Sequence, residues 1–419
     1  MKADVLIHSA AQVLTMESGP QRGQQLGDLH IINNGAVACR DGLIVATGSS
    51  KKLRSAVKAR HDVDASDQVV MPGFVDPHTH ALWVGDRADE FERRVAGASY
   101  MQIMQAGGGI MASVRACREA SVKKMVRETR PRLQRMLAHG TTTMEVKTGY
   151  GLDIDTELRM LRAIIQLDEE GPWELVPTFL GAHAVPEEYR DKPEKYTNFL
   201  CTRALPAIRD EWASIAGSRP LPFVDVFCET GAFSLKQSRA ILEKARELEF
   251  PLKIHADEFD GLGGTGLAVE LEASSADHLV CTPNADIAAL GTSDTVAVSL
   301  PCTPFGLGHS DYTPAQAILS AGGMLALASD LNPGTAWCES MQFVIALACR
   351  YLHLTPAQAI VAATINAAAA LDREDVVGSL EPGKQADILI LGIPDFRHLG
   401  YRFGTNLVNS VFKRGEQIV

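Results

Sequence analysis

Four residues that can hold a cation stand at the ends of short apolar runs. His78 and His80 lie two apart in FVDPHTH. On an extended strand both imidazoles project to one side, as two ligands of a single ion must. His255 lies near the end of PLKIHADE, and Asp330 closes MLALASD, where a carboxylate beside an apolar run needs a partner. Three neutral imidazoles and one carboxylate, with a position left for water, suit a catalytic Zn²⁺ and would also accept iron. The expected cofactor is therefore one divalent or trivalent metal ion per chain, zinc first and iron second. The plainer alternatives are a core histidine at 255 and a helix N-cap at Asp330; they do not explain why all four residues fall at strand ends.

Glu258 follows His255 by three residues in HADE. A loop carboxylate there can face the same ion from another direction and shuttle a proton between the attacking water and a leaving nitrogen. His278 in SADHLV could hydrogen-bond the water or the developing oxyanion, and Asp330 counts among the catalytic residues as well as the ligands. Lys147 reads as a buried salt-bridge partner of Glu145 or Glu229 rather than a metal-bridging carbamylated lysine, so a mononuclear site is expected. Cys302 and Cys338 read as small packing residues, because no motif activates either thiol. The glycines at 107 to 109 lack the strand-turn-helix setting and lysine of a phosphate cradle, and read as a flexible loop near the pocket.

These residues need a frame. Eight apolar segments have strand character: FVDPHTH, GTTTMEVKTGY, LVPTFLGAHA, VDVFCET, PLKIHADE, SADHLV, VAVSLPC and MLALASD. Helix-like stretches such as TELRMLRAIIQL follow most of them. Alternating β and α elements with eight strands predict an α/β fold, a (β/α)8 TIM barrel over residues 67–373. The strands end in His78 and His80, Glu145 with Lys147, His183, Cys228 with Glu229, His255, His278, Cys302 and Asp330. That rim is where such barrels build active sites. Residues 1–66 are β-rich pieces that call for no helix, and 374–419 carry ADILILG and LVNSVFKRGEQIV with a turn at KRGE. Both ends together predict a small composite β-sandwich.

The chain has 419 residues, 46% of them apolar, with a net charge of -11 and a pI near 5.6. That balance repels polyanions and excludes nucleic acid as an expected partner. The opening MKADVLIHSA lacks an apolar core with a cleavage site, and no apolar run is long enough to span a bilayer. Eight cysteines without a CxxC pair suggest reduced thiols. The expectation is a cytoplasmic protein, away from membranes, that acts on a small molecule.

With HxH after PGFVD, HADE, SADHL and ASDLNPG in hand, the sequence resembles the amidohydrolase superfamily and, within it, the imidazolonepropionase family, along almost the whole chain. The narrowing motifs run from Gly85 to Ile110, Glu145 to Leu152, Thr178 to Tyr189, Glu229 to Ser234 and Ser329 to Thr335. The resemblance implies hydrolytic ring opening of 4-imidazolone-5-propanoate to N-formimidoyl-L-glutamate in histidine degradation, and a homodimer. It implies metal binding through His78, His80, His255 and Asp330, and substrate contacts at Arg87, Tyr150, His183, Glu258, Asn332, Gly334 and Thr335. A propanoate tail needs a cationic fork, and Arg87 is the natural clamp; its alternative is an ion pair with Asp86, Asp89 or Glu90. Two departures from the family pattern bear on the ring pocket: Gly306, where the family usually has tyrosine, and the run Thr335 to Cys338, including Trp337. The rivals are another amidohydrolase acting on a small cyclic amide or amidine, a deaminase using the same metal set, and a catalytically silent barrel.

Overall fold

A computed structural model describes residues 1–98, 102 and 107–419. The stretches 99–101 and 103–106 of the Gly85 to Ile110 motif lie outside the described residues. The first strands are β1 (Lys2–Leu14), β2 (Ile31–Arg40), β3 (Leu43–Ser49), β4 (Lys58–Asp64) and β5 (Val69–Pro72). Near the C-terminus they are joined by β14 (Ile388–Leu391), β15 (Val408–Lys413) and β16 (Glu416–Gln417). One mixed sheet results, in the order β16-β15-β14-β5-β1-β2-β3, with β4 pairing on β1. It forks because β1 is long: its first half pairs in parallel with β4 and its second half with β5. A positive φ at Ser9 marks the register break between. The arms enclose an apolar cluster of Ile7, Val13, Val37, Ile44, Val70, Ile388 and Phe412.

Two local features differ from the sequence expectation. Residues 1–66 do contain a helix, Ser50–Ala56, because Leu53 is needed to cover Ala36 and Ala38 on the sheet's other face. Val69–Pro72 pairs with β1 and β14, so the first barrel strand starts only at Phe74. Gly73 is the joint, and a Cβ there would stand 2.1 Å from Thr142 Oγ1.

The barrel strands are β6 (Phe74–Asp76), β7 (Thr141–Lys147), β8 (Glu174–Ala182), β9 (Phe223–Cys228), β10 (Lys253–Ala256), β11 (Ser275–His278), β12 (Val296–Ser299) and β13 (Leu325–Leu327). Each coincides with one of the eight predicted segments, β8 and β9 starting one residue earlier, at Glu174 and Phe223. They pair in parallel in sequence order. First and last strands meet at the C-terminal rim: Thr79 bridges Leu331, and Asp76 Oδ1 accepts from Ser329 N at 3.0 Å. The intervening helices form where caps and apolar spacing agree. In Ile154–Glu170, Asp153 accepts from Thr156 N at 2.8 Å while Leu158, Leu161 and Ile165 are buried on one face.

The N-terminal end of the barrel is fastened to the terminal sheet by charge. Glu174, at the start of β8, pairs with Arg373 and lies 3.8 Å from Lys413 Nζ, which also donates to Asp387 at 2.6 Å. Burial alone would raise the Glu174 carboxyl, but Lys413 and Arg373 outweigh it and hold the group below 4.5. A carboxyl depressed in the folded state contributes stability that is fully present above its unfolded value and lost as pH falls below it. Glu174→Gln should therefore cost roughly 2–4 kcal/mol at pH 7 and flatten the acid limb below about pH 4.5. Urea midpoints that fall in parallel with pH in both proteins would contradict this.

Candidate active site

His78, His80 and His255 come together at the barrel mouth, with one potential ligand atom from each lying within 4.8 Å of the others. His80 Nε2 is 3.3 Å from His255 Nε2, and Asp330 Oδ1 is 3.6 Å from both His78 Nε2 and His80 Nε2. Ligand atoms held at ~2.0–2.2 Å around a tetrahedral ion stand roughly 3.3–3.6 Å apart, so these separations fit one cation. His78 Nε2 and Asp330 Oδ1 are buried without a hydrogen-bond partner, which native interiors rarely tolerate. A shared cation would satisfy both. Burial, then neighbouring positive groups, keeps His78 and His80 neutral by pushing them well below their usual range, the form in which imidazole ligates. Asp330 is no helix cap. It sits at φ 53°, its carbonyl accepts from Asn332 Nδ2 at 2.7 Å, and Thr303 Oγ1 donates to its Oδ2, which leaves Oδ1 to face the histidines.

A layer beneath aims these ligands. Asp277 Oδ2 is 2.6 Å from His78 Nδ1, and Asp225 Oδ2 is 2.9 Å from His255 Nδ1. Carboxylates in this position fix tautomer and ring orientation and raise ligand basicity. Lys147 Nζ donates to Glu145 at 2.8 Å and Asp225 at 2.7 Å. The expected salt bridge is thus present, but its second partner is Asp225 rather than Glu229. Burial opposes the Lys147 charge, yet Asp225, Glu145 and Asp277 outweigh it and raise the ammonium's pKa, which favours the salt-bridged form. Lys253 lies 3.8 Å from Glu145 and 3.9 Å from Asp277. Glu229 instead accepts from Phe259 N at 2.9 Å and secures the loop that carries Glu258.

Around the ligands stand the remaining predicted residues. Glu258 is raised well above the carboxylate range by burial, Asp330 and Glu229, and its Oε2 is 3.7 Å from His278 Nε2. His278 and Leu279 both take positive φ, 82° and 62°, backbone strain of the kind that clusters at functional sites. A cavity of about 170 Å³ opens beside Glu258 and Thr303, large enough for a small molecule. His183 stacks on His80 at 4.8 Å and lies 5.4 Å from Tyr150. Tyr150 rides on a loop whose form explains the glycines of KTGYGL. Glu157 accepts from the Gly149, Gly151 and Leu152 amides, and a Cβ at Gly149 would come 2.8 Å from Leu180 O. Asn332 Oδ1 accepts from the Gly334 and Thr335 amides at 2.8 Å each. Of its two readings Arg87 shows the ion pair, with Glu90, and its guanidinium packs on Gly334.

The two departures resolve by packing. A Cβ at Gly306 would stand 1.9 Å from Thr335 O, so the close approach of two loops leaves room for nothing larger than hydrogen. Trp337 packs edge-on against Trp83 at 4.8 Å and donates to Glu339, half exposed outside the ligand set. Cys338 donates to Ser340 O, and the Cys302 thiol is pushed up by its contact with Cys338 and by burial, in keeping with packing roles. Gly109 N donates to Glu90 and Gly107 O accepts from Arg115, which places the glycine turn beside Arg87. Asp225, Asp277, Glu157 and Thr303 were not singled out from sequence. For Asp225 the signal was there: a carboxylate between Val224 and Val226 can only face inward.

Three imidazoles and a carboxylate at the C-terminal mouth of a (β/α)8 barrel define a hydrolase of the amidohydrolase class, and residues 69–418 match the amidohydrolase family. The imidazolonepropionase of Herpetosiphon aurantiacus is 54% identical over 417 residues, covering 99% of this chain and 97% of its own. That of Chloroflexus aggregans is 48% identical over 420 residues, covering 99% and 98%. The chain belongs to the amidohydrolase family and, within it, to the imidazolonepropionases, and it is a hydrolase of carbon–nitrogen bonds. A zinc-bound adenosine deaminase from Xanthomonas campestris shares the fold at TM-score 0.70 and 19% identity, covering 99% of this chain and 93% of its own.

Proposed function

We propose that the chain hydrolyses 4-imidazolone-5-propanoate to N-formimidoyl-L-glutamate in the histidine-degradation route, with one zinc ion, or iron in its place, held by His78, His80, His255 and Asp330. The observation that carries this reading is a buried carboxyl, Glu258, beside His278, together with the cluster of His78, His80, His255 and Asp330 and with Arg87 packed on Gly334 in the turn after Asp330. A cation bound there supplies Lewis acidity toward a water and the ring carbonyl. A cation's charge nearby would favour the carboxylate form of Glu258, and in that form Glu258 takes the proton of the attacking water and returns it to the ring nitrogen as the C–N bond opens. His278 donates to the oxyanion developing on the carbonyl oxygen. Arg87 holds the propanoate, and Tyr150, His183 and the Asn332–Thr335 turn frame the ring and exclude bulk water.

No helix among the described residues is long and apolar enough to cross a membrane, and all eight cysteines are free; these support a cytoplasmic setting. A homodimer is proposed from family likeness alone. The test is ultraviolet decay of imidazolone propanoate with metal-analysed protein. Chelation should abolish the decay, stoichiometric zinc or iron should restore it, and no ammonia should appear. Ammonia release, or full activity without metal, would reject the reading.

A further inference from the structure

Arg87 caps the start of helix Ala88–Val95, and its guanidinium is not free to roam. Nε donates to Glu90 Oε2 at 2.8 Å and Nη2 donates to Glu90 Oε1, so one edge of the fork is fully engaged. Both side chains are largely buried, at 14% and 12% exposure. Glu90 is itself anchored, because Oε2 also accepts from Gly109 N at 2.8 Å. Burial would raise this carboxyl, but Arg87 and the Gly109 amide outweigh it and hold it ionised.

The opposite limit is set by backbone. A Cβ built on Gly334 would stand 2.5 Å from Arg87 Nη1 and 3.0 Å from Cζ. Ordinarily a long side chain could yield to such a methyl. Here it can yield only by breaking the pair with Glu90. Gly334 cannot retreat either: its amide donates to Asn332 Oδ1 at 2.8 Å, and its carbonyl accepts from Arg94 Nη1 at 3.1 Å. A guanidinium offers five N–H donors in a flat fork. With the Nε–Nη2 side taken, the Nη1–Nη2 end remains, and that end is shaped for a second carboxylate.

We propose that Glu90 is a positioning residue for substrate recognition: with Gly334 as backstop, it fixes Arg87 so that the Nη1–Nη2 end meets the substrate carboxylate, and it ties that clamp to the turn at Gly107–Gly109. This rests on the reading of Arg87 as the carboxylate clamp. The orientation is built before substrate arrives, so its loss weakens binding and leaves the chemical step alone.

The test is steady-state kinetics of metal-loaded wild type, Glu90→Gln, Gly334→Ala, Arg87→Gln and the Glu90→Gln/Arg87→Gln double variant, with metal content measured for each. Glu90→Gln is nearly isosteric and guards against a folding artefact. KM for imidazolone propanoate should rise about tenfold in Glu90→Gln and in Gly334→Ala, with kcat within about twofold. In the Arg87→Gln background Glu90→Gln should add nothing. An unchanged KM in Glu90→Gln while Arg87→Gln raises it overturns the positioning role and spares the clamp. An unchanged KM in Arg87→Gln overturns the clamp itself. A fall in kcat or metal content without a rise in KM, or additive effects in the double variant, makes Glu90 merely structural and overturns the proposal.

Discussion

Glu258→Gln should leave the protein folded and metal-loaded while turnover falls by about 10²–10⁴-fold. The amide matches the carboxyl in shape, so the cavity beside Thr303 is preserved. No hydrogen bond or ion pair ties the Glu258 side chain to His78, His80, His255 or Asp330 among the described residues, and metal content should equal that of wild type. What it removes is the ability to accept a proton and release it again at the ring nitrogen. The environment shows why no neighbour substitutes: His278, 3.7 Å away, is pushed well below its usual range by burial and by His255, and so holds a proton poorly. Single-turnover assays at matched metal content check this. A rate near that of wild type would remove Glu258 from the mechanism.

Lys147→Met should destabilise the protein by about 3–5 kcal/mol, or prevent it from accumulating in soluble form. Lys147 is fully buried between Glu145 and Asp225. Methionine fills the space without the charge, leaving Glu145, Asp225 and Asp277 to share Lys253, which lies 3.8–3.9 Å from Glu145 and Asp277. Breaking a buried pair by deleting one partner is costly because the surviving charge stays desolvated. The loss should reach the ligands as well, since Asp225 and Asp277 aim His255 and His78. Zinc affinity, read by competition with a chromophoric chelator, should fall by roughly ten- to hundredfold. Unaltered stability in urea would show that the carboxylates shed their charge at little cost.

The eight barrel strands were legible because each buried segment is short, apolar and followed by a helical pattern, and the cluster of His78, His80 and His255 because strand-end histidines have few other uses. What could not be read was the layer beneath. Asp277 precedes His278 in sequence, yet it serves His78, 199 residues away; only barrel closure brings them together. Lys147 drew attention, but its partner across the barrel depends on which strands are neighbours in space, and Asp225 on β9 outcompetes Glu229, which turns to the loop amides. Gly306 looked like a missing tyrosine because a sequence carries no record of a carbonyl 1.9 Å from an absent methyl. The helix at Ser50–Ala56 was missed because seven residues are too few to display a period.

The seam where the first and last barrel strands meet has a consequence for how this chain matures. His78 and His80 come from one side of it and Asp330 from the other, with 253 residues separating the paired Asp76 and Ser329. During synthesis the early histidines can offer an ion only half a cage, and the missing carboxylate arrives after most of the barrel has been made. Tight capture is thereby deferred until the ring shuts. An ion held by these residues would act as a clasp across that junction, resisting the separation of two edges that backbone pairing joins only sparsely.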